Sequence, residues 1–97
     1  MPDYSDAEFE WDIAKSAQTL KERGFDFAFA VRIFDFDCIE AYDSDHDDVE
    51  VRTKCTGYIG GTFFTLVYTE RPPRKRIISA RRALKYEIDD YAKEFGA

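Results

Sequence analysis

The chain has 97 residues, of which 44% are hydrophobic and 16% aromatic, and its formal net charge is −6. This size suits one domain with a sizeable core, and the composition excludes an intrinsically disordered chain. No apolar run approaches the roughly 18 residues of a membrane helix, and no secretory signal is visible. We therefore expect a single cytoplasmic domain over residues 1–97, with no membrane contact.

The first third of the chain predicts a short strand and two helices. Residues 1–8 read as a loose extension, and residues 9–11 as the first strand. Asp12 can cap a first helix, and Gly24 can end that helix with a positive φ. Asp26 can cap a second, shorter helix. Apolar spacing predicts their buried sides: Ile13, Ala14, Ala17 and Leu20 in the first, and Phe27, Ala30, Val31 and Phe34 in the second.

The second half of the chain predicts strands. Residues 49–56 alternate apolar and polar side chains, and residues 62–69 are rich in Phe, Leu, Val, Tyr and Thr. Gly60-Gly61 between them is a hairpin signal, and Pro72-Pro73 ends the second strand. Two further strands are predicted at Cys38–Tyr42 and Lys75–Ser79.

A final helix is predicted from Ala80 to Phe95, with Ser79 as its N-cap. Its expected apolar stripe consists of Leu84, Ile88, Tyr91 and Phe95. The order β-α-α-β-β-β-α, with a weaker extra strand before the last three, predicts class α+β. We expect a small antiparallel sheet with two N-terminal helices and one C-terminal helix packed on it.

Charge is distributed unevenly along the chain. Residues 1–50 have 15 acidic and 4 basic side chains, whereas residues 51–97 have 5 acidic and 10 basic ones. The segment from Arg71 to Lys85 has seven basic residues and no acidic one. Such a cluster favours a polyanion or an acidic protein as partner, although the acidic half can also neutralise the basic half within the fold. At the start of a helix, Arg81 and Arg82 would suit a phosphate.

Metal and cofactor sites are not predicted. Cys38 and Cys55 are isolated and the chain has one histidine, so neither zinc-ligand spacing nor a disulfide framework is present. The acidic run at residues 43–50 begins like a calcium loop, but Asp48 stands where that loop needs glycine. We expect two small thiols, a solvated acidic loop and no cofactor.

Three blocks of the sequence carry a resemblance. They are FEWDIAKSAQTLKERGFDF at 9–27, EVRTKCTGYIGGTFFTLVYTERP at 50–72 and KRIISARRALKYEIDDY at 75–91. In order and spacing they resemble the BrnT family of type II toxins, over nearly the whole chain from Phe9 onward. The resemblance implies a RelE-like fold and a metal-independent endoribonuclease that inhibits translation.

The resemblance also implies partners. A BrnA-like antitoxin with a ribbon-helix-helix part would neutralise the toxin, as part of a dimer or a heterotetramer. Operator DNA would be contacted only through that antitoxin, while RNA would be the substrate of the toxin itself.

Candidate site residues follow from the family positions and the neighbouring bases. RNA cleavage must remove a proton from the 2′-hydroxyl, protonate the leaving oxygen and stabilise the phosphorane. For catalysis we select Arg52, Arg76, Arg82, Lys85 and Glu87. For RNA binding we select Lys21, Arg23, Arg74, Lys75, Ser79 and Arg81. Simpler roles stay open, such as a cross-strand ion pair for Arg52, a helix pair for Glu87 and a core position for Tyr91.

Departures from the family support an alternative. Glu22 and Arg23 stand where the family usually has Lys and His, and the last helix has fewer bases than usual. The alternative is a catalytically weak or inactive binding module that acts with its antitoxin in transcriptional autoregulation.

Overall fold

Six strands form one sheet in the computed structural model, which describes residues 2–43 and 51–96. The elements in chain order are β1 (Asp3–Ser5), β2 (Phe9–Asp12), α1 (Ile13–Arg23), α2 (Phe27–Ala30), a 3-10 helix (Val31–Asp35), β3 (Cys38–Asp43), β4 (Arg52–Ile59), β5 (Thr62–Arg71), β6 (Arg74–Arg82) and α3 (Lys85–Phe95). This is the predicted class α+β. None of the described helices has the length and apolar character that crossing a bilayer requires.

The strand order is β1-β2-β6-β5-β4-β3, which makes β5 an interior strand as expected. The predicted all-antiparallel sheet is wrong in one place, because β2 pairs parallel with β6. Residues 3–5, expected in a loose extension, form β1 and pair with β2. The turn at Gly60-Gly61 is confirmed, since both glycines have the positive φ that a tight hairpin needs.

The caps predicted for the N-terminal helices are confirmed. Asp12 accepts hydrogen bonds from the amides of Ala14 and Lys15, and Gly24 ends α1 at φ 87°. Asp26 caps α2 by accepting from the Phe29 amide. The predicted pair of N-terminal helices is nevertheless not found as such: α2 is a single turn of four residues, and the chain continues as a 3-10 helix.

The buried side of α1 is polar, contrary to the prediction. Ser16 and Thr19 are buried, whereas Ile13 and Leu20 are 44% and 50% exposed. Ser16 can be buried because its hydroxyl accepts from the Phe27 amide at 3.0 Å, and the Thr19 hydroxyl donates to the Lys15 carbonyl. Because these bonds satisfy the buried polar groups, α1 can pack with its polar side toward the core. Its apolar stripe then faces solvent.

The core lies between the sheet and the segment from Phe25 to Phe34. Phe27 and Ile33 from that segment pack with Leu66 of β5 and Ile77 of β6, and all four are at most 1% exposed. Thr65, the neighbour of Leu66 on β5, instead contacts α3. Because successive strand residues point to opposite faces, the sheet separates α1 and α2 on one face from α3 on the other.

The predicted start of the last helix is wrong. Ser79 lies inside β6, which continues to Arg82 because Ala80, Arg81 and Arg82 pair with β5. Leu84 takes the N-cap position of α3, and its amide donates to the Glu87 carboxylate. The predicted apolar stripe is also only partly buried: Tyr91 is buried, but Leu84 and Phe95 are 50% and 37% exposed. Arg81 and Arg82 are therefore strand residues and do not lie in the first turn of a helix.

The two cysteines, distant in sequence, are neighbours across β3 and β4. Cys38 and Cys55 are free thiols whose sulfurs lie 2.8 Å apart in a hydrogen bond. That bond lowers the pKa of Cys38. The acidic run predicted to be a solvated loop lies outside the described residues, except for the backbone of Asp43 at the end of β3.

Candidate functional site

The sheet sorts the basic residues of the segment from Arg71 to Lys85 onto its two faces. Antiparallel partners point to the same face, and Thr65 of β5 faces α3, where its hydroxyl donates to Glu87 at 3.0 Å. Alternation along β5 places Val67 and Thr69 on that face as well. Their partners on β6 follow them: Arg81 opposite Thr65, Ser79 opposite Val67, and Arg76 opposite Thr69.

Strand β4 adds two more cations to the same face. Lys54 pairs with Val67, and Arg52 lies two residues earlier, on the same side of the strand. Arg76 pairs with Thr69 of β5, and Thr53, the residue after Arg52, pairs with Tyr68, the residue before Thr69. The same register continued by one residue brings Arg52 opposite Thr69, so the Cα atoms of Arg52 and Arg76 are two strand spacings, or about 10 Å, apart. The name "basic face" is used below for Arg52, Lys54, Arg76, Ser79 and Arg81.

Glu87 of α3 lies at the centre of a hydrogen-bond network beside the basic face. Arg81 donates to both of its carboxylate oxygens, at 2.8 and 2.9 Å. The Leu84 amide and the Thr65 hydroxyl also donate to it, at 2.8 and 3.0 Å. The Lys54 ammonium lies 3.4 Å from Oε2. With only 4% of its surface exposed, this carboxylate fixes Arg81 and Lys54 in place.

The protonation state of Glu87 follows from these contacts. Burial alone would raise the pKa of the carboxyl group, because a low dielectric disfavours the charge. The hydrogen bonds from Arg81, the Leu84 amide and Thr65 outweigh burial and hold the pKa of Glu87 at about 2. At neutral pH this carboxylate is therefore ionised and fully hydrogen-bonded, which suits a positioning group better than a proton carrier.

Lys54 and Tyr86 form a second pair at this place. The Lys54 ammonium donates to the Tyr86 hydroxyl at 2.6 Å and lies 5.0 Å from the centre of the ring. The bond to Tyr86, opposed by burial and assisted by Glu87, raises the pKa of Lys54. Tyr86 is 53% exposed, so its hydroxyl is open to a ligand from solvent.

Arg76 is held at the other end of the basic face. Its guanidinium lies 2.9 Å from a Glu10 oxygen and 3.1 Å from an Asp3 oxygen. The hydrogen bond to Asp3 is the main cause that raises the pKa of Arg76. These two carboxylates come from β1 and β2, so the N-terminal strands orient this arginine while its side chain stays 17% exposed.

Three of the predicted residues lie elsewhere. Arg82 pairs with Phe64, a core residue, and so lies on the face that α1 and α2 cover. Arg23, at the end of α1, donates to the Ala80 carbonyl at 2.8 Å, and Lys21 is exposed on the same helix. Arg82 is six residues along β6 from Arg76, a separation of about 20 Å. The structure therefore does not place Arg76 and Arg82 around one phosphate.

The remaining predicted cations have contacts near the ends of strands and helices. Lys85 is 89% exposed and lies 3.2 Å from Asp89, one helical turn away. Lys75 lies 3.4 Å from Glu70, and Arg74 donates to the Asp6 carbonyl. These contacts are with Asp89, Glu70 and Asp6, so none of them is part of the hydrogen-bond network of Glu87.

Lys54 and Tyr86 are the residues that sequence reasoning missed. Lys54 reads as one of the polar positions of an alternating strand, and Tyr86 as a departure from the family pattern of bases. The sequence gives one indication of a role for them, which is that both lie close to selected residues. Tyr86 directly precedes Glu87, and Lys54 lies two residues after Arg52. Within residues 2–43 and 51–96 no group of three or more His, Cys, Asp or Glu side chains is placed to hold a metal ion.

Comparison with protein families identifies a family to which the chain is similar. The model of a family described as the ribonuclease toxin BrnT of type II toxin-antitoxin systems matches residues 11–87. The matched range includes β4, β5, β6 and the whole basic face. No curated protein matches the chain.

Proposed function

The chain belongs to the BrnT family of ribonuclease toxins of type II toxin-antitoxin systems, and from this premise we propose that it cuts RNA without a metal ion and so inhibits translation. The observation that supports the proposal is the basic face, where four cations and a serine surround one stretch of β5. These cations lie on a chain with net charge −6, so they are concentrated on this face against the overall balance.

RNA binding is assigned to Arg52 and Arg76. Guanidinium groups bind phosphate through two parallel hydrogen bonds, and Cα atoms about 10 Å apart let the two side chains hold separate phosphates of one strand. Ser79 lies on β6 between Arg76 and Arg81, and it is half-buried. It can donate to a phosphate oxygen or accept from a 2′-hydroxyl.

Catalysis is assigned to the group around Glu87. Arg81 supplies charge to the phosphorane, and Glu87 keeps its guanidinium in a fixed orientation. Lys54 and Tyr86 are the two groups at this place that can supply a proton to the substrate. The Tyr86 hydroxyl gives its proton to the leaving oxygen and recovers one from the Lys54 ammonium that donates to it, while the proton of the 2′-hydroxyl passes to water. Glu87 is a positioning residue in this proposal, because its pKa of about 2 leaves it without a proton to give.

The proposal includes the partners that the family resemblance implies. A BrnA-like antitoxin with a ribbon-helix-helix part neutralises the toxin in the cytoplasm, and the complex represses its own operon through the antitoxin's contact with operator DNA. The six-stranded α+β architecture is proposed to be a variant of the RelE-like fold, with β1 as an added edge strand.

The test is cleavage of total RNA by the purified chain in the presence of EDTA. We expect cleavage by the wild type and a loss of at least about tenfold in the variant Arg52→Ala with Arg76→Ala, because two phosphate contacts are removed. Tyr86→Phe should slow cleavage about a hundredfold without weakening RNA binding. Arg82→Ala is the matched control, since it removes an arginine from the same strand on the opposite face.

Two outcomes would contradict the assignment while the variants remain folded by circular dichroism. One is full activity in Arg52→Ala with Arg76→Ala, and the other is an equal loss in Arg82→Ala. Cleavage that EDTA abolishes would overturn metal independence but would leave the basic face as the RNA site.

One observation favours the alternative of a silent binding module. Arg76, Arg81 and Lys85 each have a carboxylate of the same chain within 3.2 Å, so part of the positive charge is neutralised internally. If the wild type cuts neither free RNA nor RNA on translating ribosomes, while its complex with the antitoxin still binds operator DNA, the alternative is the correct function.

A further inference from the structure

Helix α1 presents an apolar stripe to solvent on the side of the sheet opposite to the basic face. Ile13 and Leu20 are 44% and 50% exposed, and Ala14 and Ala17 between them are exposed as well. Positions 13, 17 and 20 share one side of the helix. Ser16 and Thr19 occupy the side of α1 that faces the core, so the apolar stripe faces solvent. A helix of this kind is typical of a surface that a partner covers.

A groove continues from this stripe toward β6. It has a volume of about 380 Å³, and its lining includes Leu20 together with the aromatic side chains of Phe25, Phe29 and Phe64. Arg82 and Asp26 also line it. The carboxylate of Asp26 is already engaged in capping α2, so Arg82 is the charged group that the groove offers to a ligand.

A neighbouring depression extends the groove and adds positive charge. It also measures about 380 Å³, shares Phe25 and Arg82 with the groove, and is lined by Arg23 and Arg81 as well. The continuous surface thus consists of an aliphatic stripe, an aromatic groove and a border of arginines. A segment that complements it has apolar side chains along one face and acidic side chains beside them.

We propose that this surface, formed by α1, Phe25, Phe29, Phe64 and Arg82, binds a segment of the antitoxin that is apolar on one face and acidic beside it. The inference rests on the antitoxin partnership of the family, but it does not require that the chain cut RNA. It assigns neutralisation to a surface that shares only Arg81, at its border, with the basic face, and it leaves α3 in place when the antitoxin binds.

The chemistry of the surface favours a protein segment over RNA or a second copy. The stripe itself, from Ile13 to Leu20, is apolar and has one lysine beside it, Lys21, one turn after Ala17, whereas several phosphate contacts along the backbone dominate RNA affinity. A twofold dimer through this surface would bring the arginines of two copies, Arg23 and Arg82 in each, into one interface, and like charges there oppose association.

The test is calorimetric titration of the purified chain with its antitoxin. Leu20→Asp should weaken binding at least about thirtyfold, because it puts a charge at the centre of an apolar contact. Arg82→Glu should weaken it about tenfold, with a smaller salt dependence than the wild type. Gln18→Asp is the matched control: it introduces the same residue on the far side of the same helix, and we expect a change below about threefold.

Three results would overturn the proposal. The first is unchanged affinity in Leu20→Asp. The second is a loss confined to Phe36→Asp, which would move docking to a different groove, lined by Phe36, Tyr58 and Tyr91. The third is a wild-type chain that is dimeric alone and becomes monomeric in Leu20→Asp, which would make the stripe a self-association surface. Affinity is measured without RNA, so a chain that cuts no RNA leaves this test intact.

Discussion

At the scale of single residues, the surroundings of a side chain decide its chemistry more than its type does. The family resemblance makes Glu87 a candidate catalytic group at the sequence level. In the structure the same carboxylate accepts from Arg81, the Leu84 amide and Thr65, and these bonds hold its pKa at about 2. Its charge orients the neighbouring cations Arg81 and Lys54, and in the proposed function the role of proton carrier therefore belongs to Tyr86 and not to Glu87.

Replacement of Glu87 by glutamine should lower the free energy of unfolding at pH 7 by about 2 kcal/mol, because Arg81 loses its ionic partner. The folded pKa of about 2 lies below the ordinary value of 4.5, so the carboxylate stabilises the fold above pH 4.5. This stabilisation is lost as the pH falls toward 2.

Urea denaturation at pH 7, 4 and 3 measures this effect. The difference between wild type and Glu87→Gln should shrink as the pH falls. Glu94→Gln, an exposed position on the same helix, is the control and should match the wild type at each pH. A difference that stays constant over this range would show that the charge of Glu87 does not stabilise the fold.

At the scale of elements, local signals predict where helices begin except where strand pairing competes. Asp12 and Asp26 cap helices as expected, because β2 ends at Asp12, opposite the first residue of β1, and Asp26 lies in no strand. Ser79 also has the chemistry of a cap, but β5 extends far enough to pair with β6 as far as Arg82. A ladder of cross-strand hydrogen bonds stabilises more backbone groups than one serine cap, so the strand continues and α3 starts later.

Gly57→Ala tests how tightly β4 packs on the 3-10 helix. A Cβ added at Gly57 would lie 2.7 Å from Cβ of Ile33, which is fully buried. We expect the free energy of unfolding to fall by about 1–3 kcal/mol, because either the strand or the 3-10 helix must move. Thermal unfolding measures the change. An unaltered melting temperature would mean that β4 and the 3-10 helix can move apart without a loss of stability.

At the scale of the whole molecule, the sheet places on its two opposite faces basic residues that form one continuous segment in the sequence. The basic segment from Arg71 to Lys85 reads as a single cluster. The register shift between Val67 and Tyr68 and the alternation of β6 place Arg76 and Arg81 on the face of α3, and Arg82 on the face of α1. One strand therefore contributes to the proposed RNA site on one side and to the proposed antitoxin surface on the other.

The two surfaces predict a double dissociation in cells. Leu20→Asp should arrest growth even when the antitoxin is co-expressed, because this variant still cuts RNA but binds the antitoxin only weakly. Arg52→Ala with Arg76→Ala should bind the antitoxin normally without arresting growth. Growth curves with and without antitoxin, together with co-purification, measure both properties. A single variant that loses both activities while still folded would show that the surfaces are one.

The sequence by itself determined the features that depend on near neighbours or on the family pattern. These are the α+β class, the caps at Asp12 and Asp26, the glycine turn at Gly60-Gly61 and the BrnT family. The tertiary structure alone decided which side of each element is buried and which cations act together. Ser16 is buried because of a bond to Phe27, eleven residues away, and Lys54 meets Tyr86 across 32 residues. Such contacts depend on strand register and side-chain packing, which residue spacing along the chain does not specify.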